Sequence, residues 1–297
     1  YWEGAFMNTK KYKKRKRRFQ KFTLAILLFL TVFWLAPKII STASDIVYTV
    51  FNSSSDLTTK YKAATPMKLN NHEVKNKLYS LSQKYPEFKT IYKNISDYPE
   101  SLLVSLCNTP EMIDFVKEYP NADSKPHGNI TEKELSEGIP LLIQWDKRWG
   151  YASYGNSDIG ISGCAPTCLS MVISGLTDNR NITPYKVAKF AEKNGYYIEG
   201  TGTSWNIMTE GVSSFGITGI EIPLSKNSIF SHLENNEPII CSMRPGDFTT
   251  AGHFIVLTKT ENGQIKVNDP NSRSRSKIWS YETLEKQIKN LWAFSKS

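Results

Sequence analysis

Apolar residues occur along this chain in three different arrangements. From Phe22 to Pro37 they form a nearly unbroken run of sixteen residues with no charged side chain. At the helical rise such a run covers roughly 24 Å, and about 28 Å if it continues to Ile40 with Lys38 snorkelling outward, so it predicts a membrane-spanning helix over 22–40. Residues 41–66 are rich in Ser, Thr and Asn, as in Asn52-Ser53-Ser54-Ser55-Asp56, and read as a tether. Over 67–138 the pattern becomes short helical pieces: Leu78, Leu81 and Tyr85, then Phe88, Ile91, Tyr92 and Ile95, then Leu102, Leu103 and Leu106, then Ile113, Phe115 and Val116. Pro86, Pro99, Pro110 and Pro120 punctuate them where a first helical turn tolerates proline or a helix must stop. The end of this region, from Asn121 to Gly138, is a polar connector, and the whole is expected to pack on, or hold off, the domain C-terminal to it.

The third arrangement fills 139–297. A helix is expected after Ser162-Gly163-Cys164, with Ala165, Cys168, Leu169, Val172, Ile173 and Leu176 on one face. Thr183-Pro184 caps a second helix that ends near Gly195, Thr203-Ser204 caps a third that Gly216 ends, and Ser280 opens a last one through Leu284 and Ile288. Strands are expected over 238–243, 253–258 and 265–269, the last two joined at Glu261-Asn262-Gly263. Helices followed by antiparallel strands predict an α+β domain.

Composition narrows the function classes. The 297 residues carry a formal net charge of +9, which by itself suggests an acidic partner. Nine basic side chains and one acidic lie within residues 1–21, leaving 28 basic against 27 acidic in the remainder. The excess is therefore a topology signal: a basic cytoplasmic tail before the span places everything beyond about Ser41 outside the cell by the positive-inside rule. Nucleic acid is not an expected partner. A cleaved secretory signal ending at Ser41-Thr42-Ala43 is the competing reading of the same segment, and it would make the chain secreted rather than anchored. Four cysteines, Cys107, Cys164, Cys168 and Cys241, are too few for a disulfide framework in an exported chain, so the fold must rest on its core.

The candidate chemistry lies in the last domain. Cys164 stands at a helix start, where unpaired amides and the helix dipole favour a thiolate over a thiol. His253 opens an otherwise apolar strand, and Asp269 closes the next one. If Glu261-Asn262-Gly263 is a three-residue loop with Gly263 left-handed, Thr260 pairs with Gln264 and Asp269 lies opposite Ile255. His253 and Asp269 are then diagonal neighbours on one face, roughly 7 to 8 Å apart at the backbone and within side-chain reach. A two-residue loop would put Val256 opposite Asp269 and turn His253 away. In the favoured register Asp269 orients His253, whose imidazolium pairs with the Cys164 thiolate for attack on a carbonyl carbon. The Cys164 amide and the side chain of Gln144 are the candidate oxyanion donors. Cys164 and Cys168 could share a metal, but no second ligand cluster with zinc spacing exists, so no metal or cofactor is expected.

Taken in order, Gln144-Trp145-Asp146 to Trp149-Gly150, Ser162-Gly163-Cys164-Ala165-Pro166-Thr167, Gly202-Thr203-Ser204-Trp205, Gly252-His253-Phe254-Ile255-Val256-Leu257 and Asn268-Asp269-Pro270-Asn271-Ser272 resemble stand-alone bacterial peptidases similar to the bacteriocin-processing, double-glycine-leader cysteine peptidases. The resemblance implies a papain-like fold over about 139–294, with Cys164 as nucleophile, His253 as general base and acid, Asp269 as orienting residue and Gln144 in the oxyanion hole. Cys168 stands where a smaller residue is more usual in the family. No transporter span or ATP-binding cassette follows, so the resemblance does not extend to cleavage coupled to leader export. The expected activity is a membrane-anchored, outward-facing peptidase acting on a peptide or protein. A cell-wall amidase or transpeptidase-like acyltransferase would use the same triad, and an inactive surface binding module is the reading from a different class. Trp145, Trp149 and Trp205 are candidates either for a groove lining or for the core.

Overall fold

The protein is described by a computed structural model over residues 60–297, residue 62 excepted. The basic tail 1–21, the apolar span 22–40 and all but the end of the tether 41–66 lie outside the described residues. Among the described residues no helix is long and apolar enough to cross a membrane.

The helical region begins with α1 (Asn71–Lys84), where Asn70 and Glu73 form a reciprocal capping box. It continues through α2 (Phe88–Lys93), α3 (Glu100–Asn108) and α4 (Ile113–Glu118), with Pro99 at the N-cap of α3 and Pro110 opening the short 3-10 turn before α4. Leu78, Phe88, Ile91, Leu102, Leu106 and Val116 bury into one cluster. Its start reaches back into the segment read as a tether: Tyr61 is buried edge-on against Tyr85 and Phe88 at 4.7 and 5.7 Å between ring centroids. Within the polar connector a one-turn helix, α5 (Glu132–Leu135), is held by a second capping box between Thr131 and Glu134.

The C-terminal half carries small ribbons, β1 (Ser153–Tyr154) with β2 (Ser157–Asp158) and β3 (Tyr197–Ile198) with β4 (Gly202–Thr203), around the helices α6 (Ile159–Ser162), α7 (Cys164–Thr177) and α8 (Pro184–Lys193). Thr183 caps α8 and Pro184 is its first residue, as its sequence requires. Where a third helix was expected between Ser204 and Gly216 there are two 3-10 segments, Trp205–Met208 and Gly211–Phe215. Ser204 still caps the first and Gly216, at φ 73°, still ends the second; a glycine between them disfavours propagation of one α-helix.

The main sheet is antiparallel, in the order β5 (Ile217–Glu221), β10 (Ile288–Lys296), β6 (Ile239–Met243), β7 (His253–Glu261), β8 (Gln264–Asn268) and β9 (Ile278–Trp279). Beside it lie α9 (Lys226–Glu234) and α10 (Tyr281–Leu284). The sequence placed Ile288 in a helix begun at Ser280, but that helix stops at Leu284 and Ile288 starts a nine-residue strand. Pairing on both edges with β5 and β6 overrides local propensity. Alternation then divides the core. Ile240, Phe254, Val256, Trp292 and Phe294 pack with α7 and α8, while Cys241, Ile255, Leu257, Leu291 and Ala293 pack with Ile229 and Leu233 of α9 and Leu284 of α10. Ten consecutive residues of α7, Ala165 to Ser174, are buried, so this helix is enclosed all round rather than on one face.

The helical region is fastened to the C-terminal half by shape and by charge. The Phe115 ring stacks on Tyr151 with centroids 4.3 Å apart and planes 7° from parallel. It also lies against Gly160, where a Cβ would stand 2.6 Å from its Cζ, so no larger residue fits there. Glu111, 1% exposed, accepts from Ser272 Oγ (2.5 Å), Ser274 Oγ (3.1 Å) and the backbone amides of Arg273 and Ser274 (3.2 and 3.3 Å).

Candidate active site

The register of β7 on β8 decides whether His253 and Asp269 can meet. The loop is a two-residue turn, not the expected three: Glu261 pairs with Gln264, and Asn262 and Gly263 both have positive φ (51° and 74°). Asn-Gly adopts this turn because its twist matches that of the flanking strands. Such a loop alone would have turned His253 to the wrong face. The pairing slips, however, between Leu257 and Lys259, which oppose Val267 and Lys266. Thr258 is thus the extra residue of a β-bulge, which moves the parity back by one. Val256 therefore faces Asn268, and one further step puts Ile255 opposite Asp269, the arrangement expected from the sequence by a different route.

His253 Nε2 lies 2.7 Å from Asp269 Oδ1, with the two side chains 7% and 0% exposed. Burial alone would lower the His253 pKa. The Asp269 carboxylate outweighs it by charge and hydrogen bond, Cys164 adds to the same side, and the value is raised to about 9. Burial likewise opposes the charge on Asp269, but His253 and Arg275 hold its carboxyl below the usual range. Arg275 donates from Nε to Asp269 Oδ2 (2.9 Å) and from Nη2 to Thr109 Oγ1 (3.2 Å), and the Asn271 amide donates to Asp269 Oδ1 (2.8 Å). The sequence reading missed Arg275. Its signal was present: a buried carboxylate requires compensating charge, and basic residues follow Asp269 closely in Ser272-Arg273-Ser274-Arg275.

With Nε2 on Asp269, Nδ1 of His253 remains for Cys164, whose hydrogen bond helps raise the His253 pKa. Cys164 is the first residue of α7 and only partly buried, where the leading amides of a helix lack intrahelical partners. The other cysteines are enclosed. Burial raises the thiol pKa of Cys107 to about 12 and drives those of Cys168 and Cys241 upward, and all four cysteines are free. Among the described residues no three His, Cys, Asp or Glu side chains are grouped to hold a metal ion.

Gln144 is carried on a loop locked by its own motif. Asp146 accepts from the Arg148 amide and from Nε at 2.9 and 3.0 Å, Arg148 also pairs with Glu134, and Trp149 Nε1 donates to Ile143 O. The Gln144 amide donates to Pro270 O (2.8 Å), joining this loop to the one that carries Asp269. Its side-chain Nε2 donates to the carbonyls of Gly160 and Ile161 (3.0 and 3.2 Å), while Oε1 is buried without a partner.

Cys164 and His253 open on a groove of about 1220 Å³ whose walls include Gly202, Trp205, Arg244 and Lys289. Of the three candidate tryptophans only Trp205 lines it, with Lys289 Nζ 5.2 Å from its ring centroid. Trp145 and Trp149 are buried. Such a cleft, with a thiol and an imidazole at one wall, suits acyl transfer by covalent catalysis.

Residues 136–296 match the model of the Peptidase_C39 like family. The chain belongs to this family. It is a cysteine peptidase, in keeping with the resemblance read from its motifs. Among solved structures this C39-like peptidase is similar to the peptidase domain of Streptococcus ComA, a bifunctional ABC transporter of a quorum-sensing pathway, at 20% identity over 46% of this chain and 93% of that one (TM-score 0.36). It is similar also to a C39-like peptidase structure from Bacillus anthracis (11% identity, 57% and 98% covered, TM-score 0.36). A third is a double glycine motif protease from an AMS/PCAT transporter, solved with its leader peptide (11% identity, 57% and 98% covered, TM-score 0.32). A search of curated proteins finds no match. The helices α1 to α4 of this C39-like peptidase lie outside the matched segment.

Proposed function

We propose that this C39-like peptidase hydrolyses peptide bonds through Cys164, His253 and Asp269, with Gln144 in the oxyanion hole. The observation that carries the reading is the bond from a fully buried Asp269 to His253 Nε2, beside a Cys164 that opens α7 on the same groove. In the first step the Cys164 thiolate forms a bond to the substrate carbonyl carbon as the carbonyl π electrons move onto oxygen. The Cys164 amide donates to that oxyanion. Gln144 Nε2 joins it by releasing at most one of its two carbonyl bonds, since an amide nitrogen carries two hydrogens. Collapse of the intermediate breaks the carbon–nitrogen bond while His253 Nδ1 gives its proton to the departing amine, leaving a thioester. His253 then takes a proton from water, which attacks the thioester and releases the acid and the thiol. Asp269 keeps the ring oriented and stabilises its positive form; it stays ionised throughout.

The nine basic residues before an uncharged span of sixteen support placing this domain outside the cell, anchored by the span 22–40. A mature chain beginning at Ser44 would replace the anchor with a cleaved signal. The catalytic assignment is tested by labelling the purified full chain with a small cysteine-directed electrophile, beside Cys164→Ala and His253→Ala. Labelling that disappears in Cys164→Ala and weakens in His253→Ala is expected. Labelling that persists unchanged in both variants would remove the assignment.

A further inference from the structure

A second recess, of about 190 Å³, also reaches Cys164 and His253 and shares only Ile161 and Gly252 besides them with the groove. Its walls come from both halves of the molecule: Pro66, Val104, Ser105 and Asn108 from the helical region, Gln144 and Asn271 from the catalytic half. Two buried oxygens without a partner, Gln144 Oε1 and Asn271 Oδ1, belong to residues that line it. Gln144 is 3% exposed, so its orphaned acceptor is deprived of bulk water and is offered to whatever enters. The size is that of one side chain, since an engineered cavity of roughly 150 Å³ takes up a benzene molecule.

Direction follows from the chemistry. His253 must protonate the departing nitrogen and lines both the groove and the recess; the recess is the side on which Gln144 and Asn271 stand beside it, with acceptors free for the leaving part of the substrate. The groove meets Cys164 from the side of Ser162 and Ala165 and is several times larger, which suits the longer acyl part. We propose that the helical region builds the subsite for the first residue on the leaving side of the cleaved bond. Val104 and Ser105 limit its size, and the two free oxygens accept from the amides of that residue or the next. The selectivity of this peptidase after the cut is thus written in a segment outside the family match. This inference rests on the peptidase reading above.

The test uses the full chain and a peptide library randomised on both sides of one bond, with products sequenced by mass spectrometry. Ser105→Trp fills the recess and Val104→Ala enlarges it. Ser105→Trp is expected to lower cleavage before large residues about tenfold or more relative to cleavage before glycine, with Val104→Ala shifting the ratio the other way. The profile of residues preceding the bond should not change in either variant. Equal loss for all peptides in a chain that still unfolds cooperatively, or a shift confined to residues before the bond, overturns the subsite. If Ser105→Trp does not fold, an unchanged profile in Val104→Ala has the same force. Failure of the peptidase reading looks different: Cys164 is labelled by the small electrophile, yet wild type cleaves no library member.

Discussion

At the scale of single residues, the site is a chain of compensations. Asp269 is fully buried and stays charged because His253 and Arg275 each contribute a cation and the Asn271 amide contributes a hydrogen bond. His253 in turn keeps its proton to about pH 9 because Asp269 outweighs the cost of its burial. The direction of the pH effect is set by that shift. A histidine whose folded pKa stands above its ordinary 6.5 stabilises the fold fully below about 6.5, and that contribution fades as pH rises through about 9. Activity should lose its proton donor over the same alkaline range, so kcat/KM is expected to fall with an apparent pKa near 9. In Asp269→Asn the falling limb should move to lower pH, with kcat reduced by roughly 10³ to 10⁴ by analogy with the loss of an orienting carboxylate in other triads. Rates measured from pH 5 to 10 decide it, and an unmoved limb in Asp269→Asn would detach His253 from the profile. Cys164 and Cys168 show how one helical turn separates two environments: the first is partly exposed and lines the groove, the second is enclosed with its thiol kept protonated by burial.

Elements determine whether those residues meet. The hairpin β7–β8 contains two departures from the simplest pairing, a two-residue turn and a bulge at Thr258, and each reverses the facing produced by the other. Nine residues lie between the paired Leu257 and Val267, one more than a regular two-residue hairpin of that length accommodates. Deleting Thr258 should therefore leave a regular ladder with His253 still on the face of Asp269. Peptide cleavage is expected to stay within about fivefold of wild type, since side-chain facing depends on parity and not on the bulge itself. Complete loss of cleavage in a folded deletion variant would mean that the bend of the bulge, and not parity alone, aims His253. The strand β10 carries the complementary lesson. Its residues Ile288 to Lys296 lie between β5 and β6, and the pairing on both sides converts a segment that reads as a helix end into an internal strand of the sheet.

At the scale of the whole molecule, the helical region and the catalytic half belong to one compact unit. Phe115 joins them, packed on Tyr151 and the bare backbone at Gly160, and Glu111 gathers the turn after Asp269. Phe115→Ala should destabilise the unit by about 3 to 5 kcal/mol, the usual cost of emptying a buried aromatic site. Urea unfolding followed by tryptophan fluorescence and by residual cleavage should shift together in that variant; a separate early transition would show the helical region to be independent. What the sequence alone determined is the chemistry and the approximate order of parts: a thiol at a helix start, an imidazole opening a strand, a carboxylate closing the next, an α+β domain, short helices before it, and nearly all the excess charge at one end. These are local properties, set by residue type, capping and periodicity. Tertiary structure decided what residue type and periodicity do not carry: the bulge that rescues the register, the strand pairing of β10, the Arg275 guanidinium reaching from Asp269 to Thr109, and the recess that joins α3 to Gln144. Propensity and spacing encode a residue's own conformation, but burial, compensating charge and the shape of a cleft arise only when segments a hundred residues apart exclude water together.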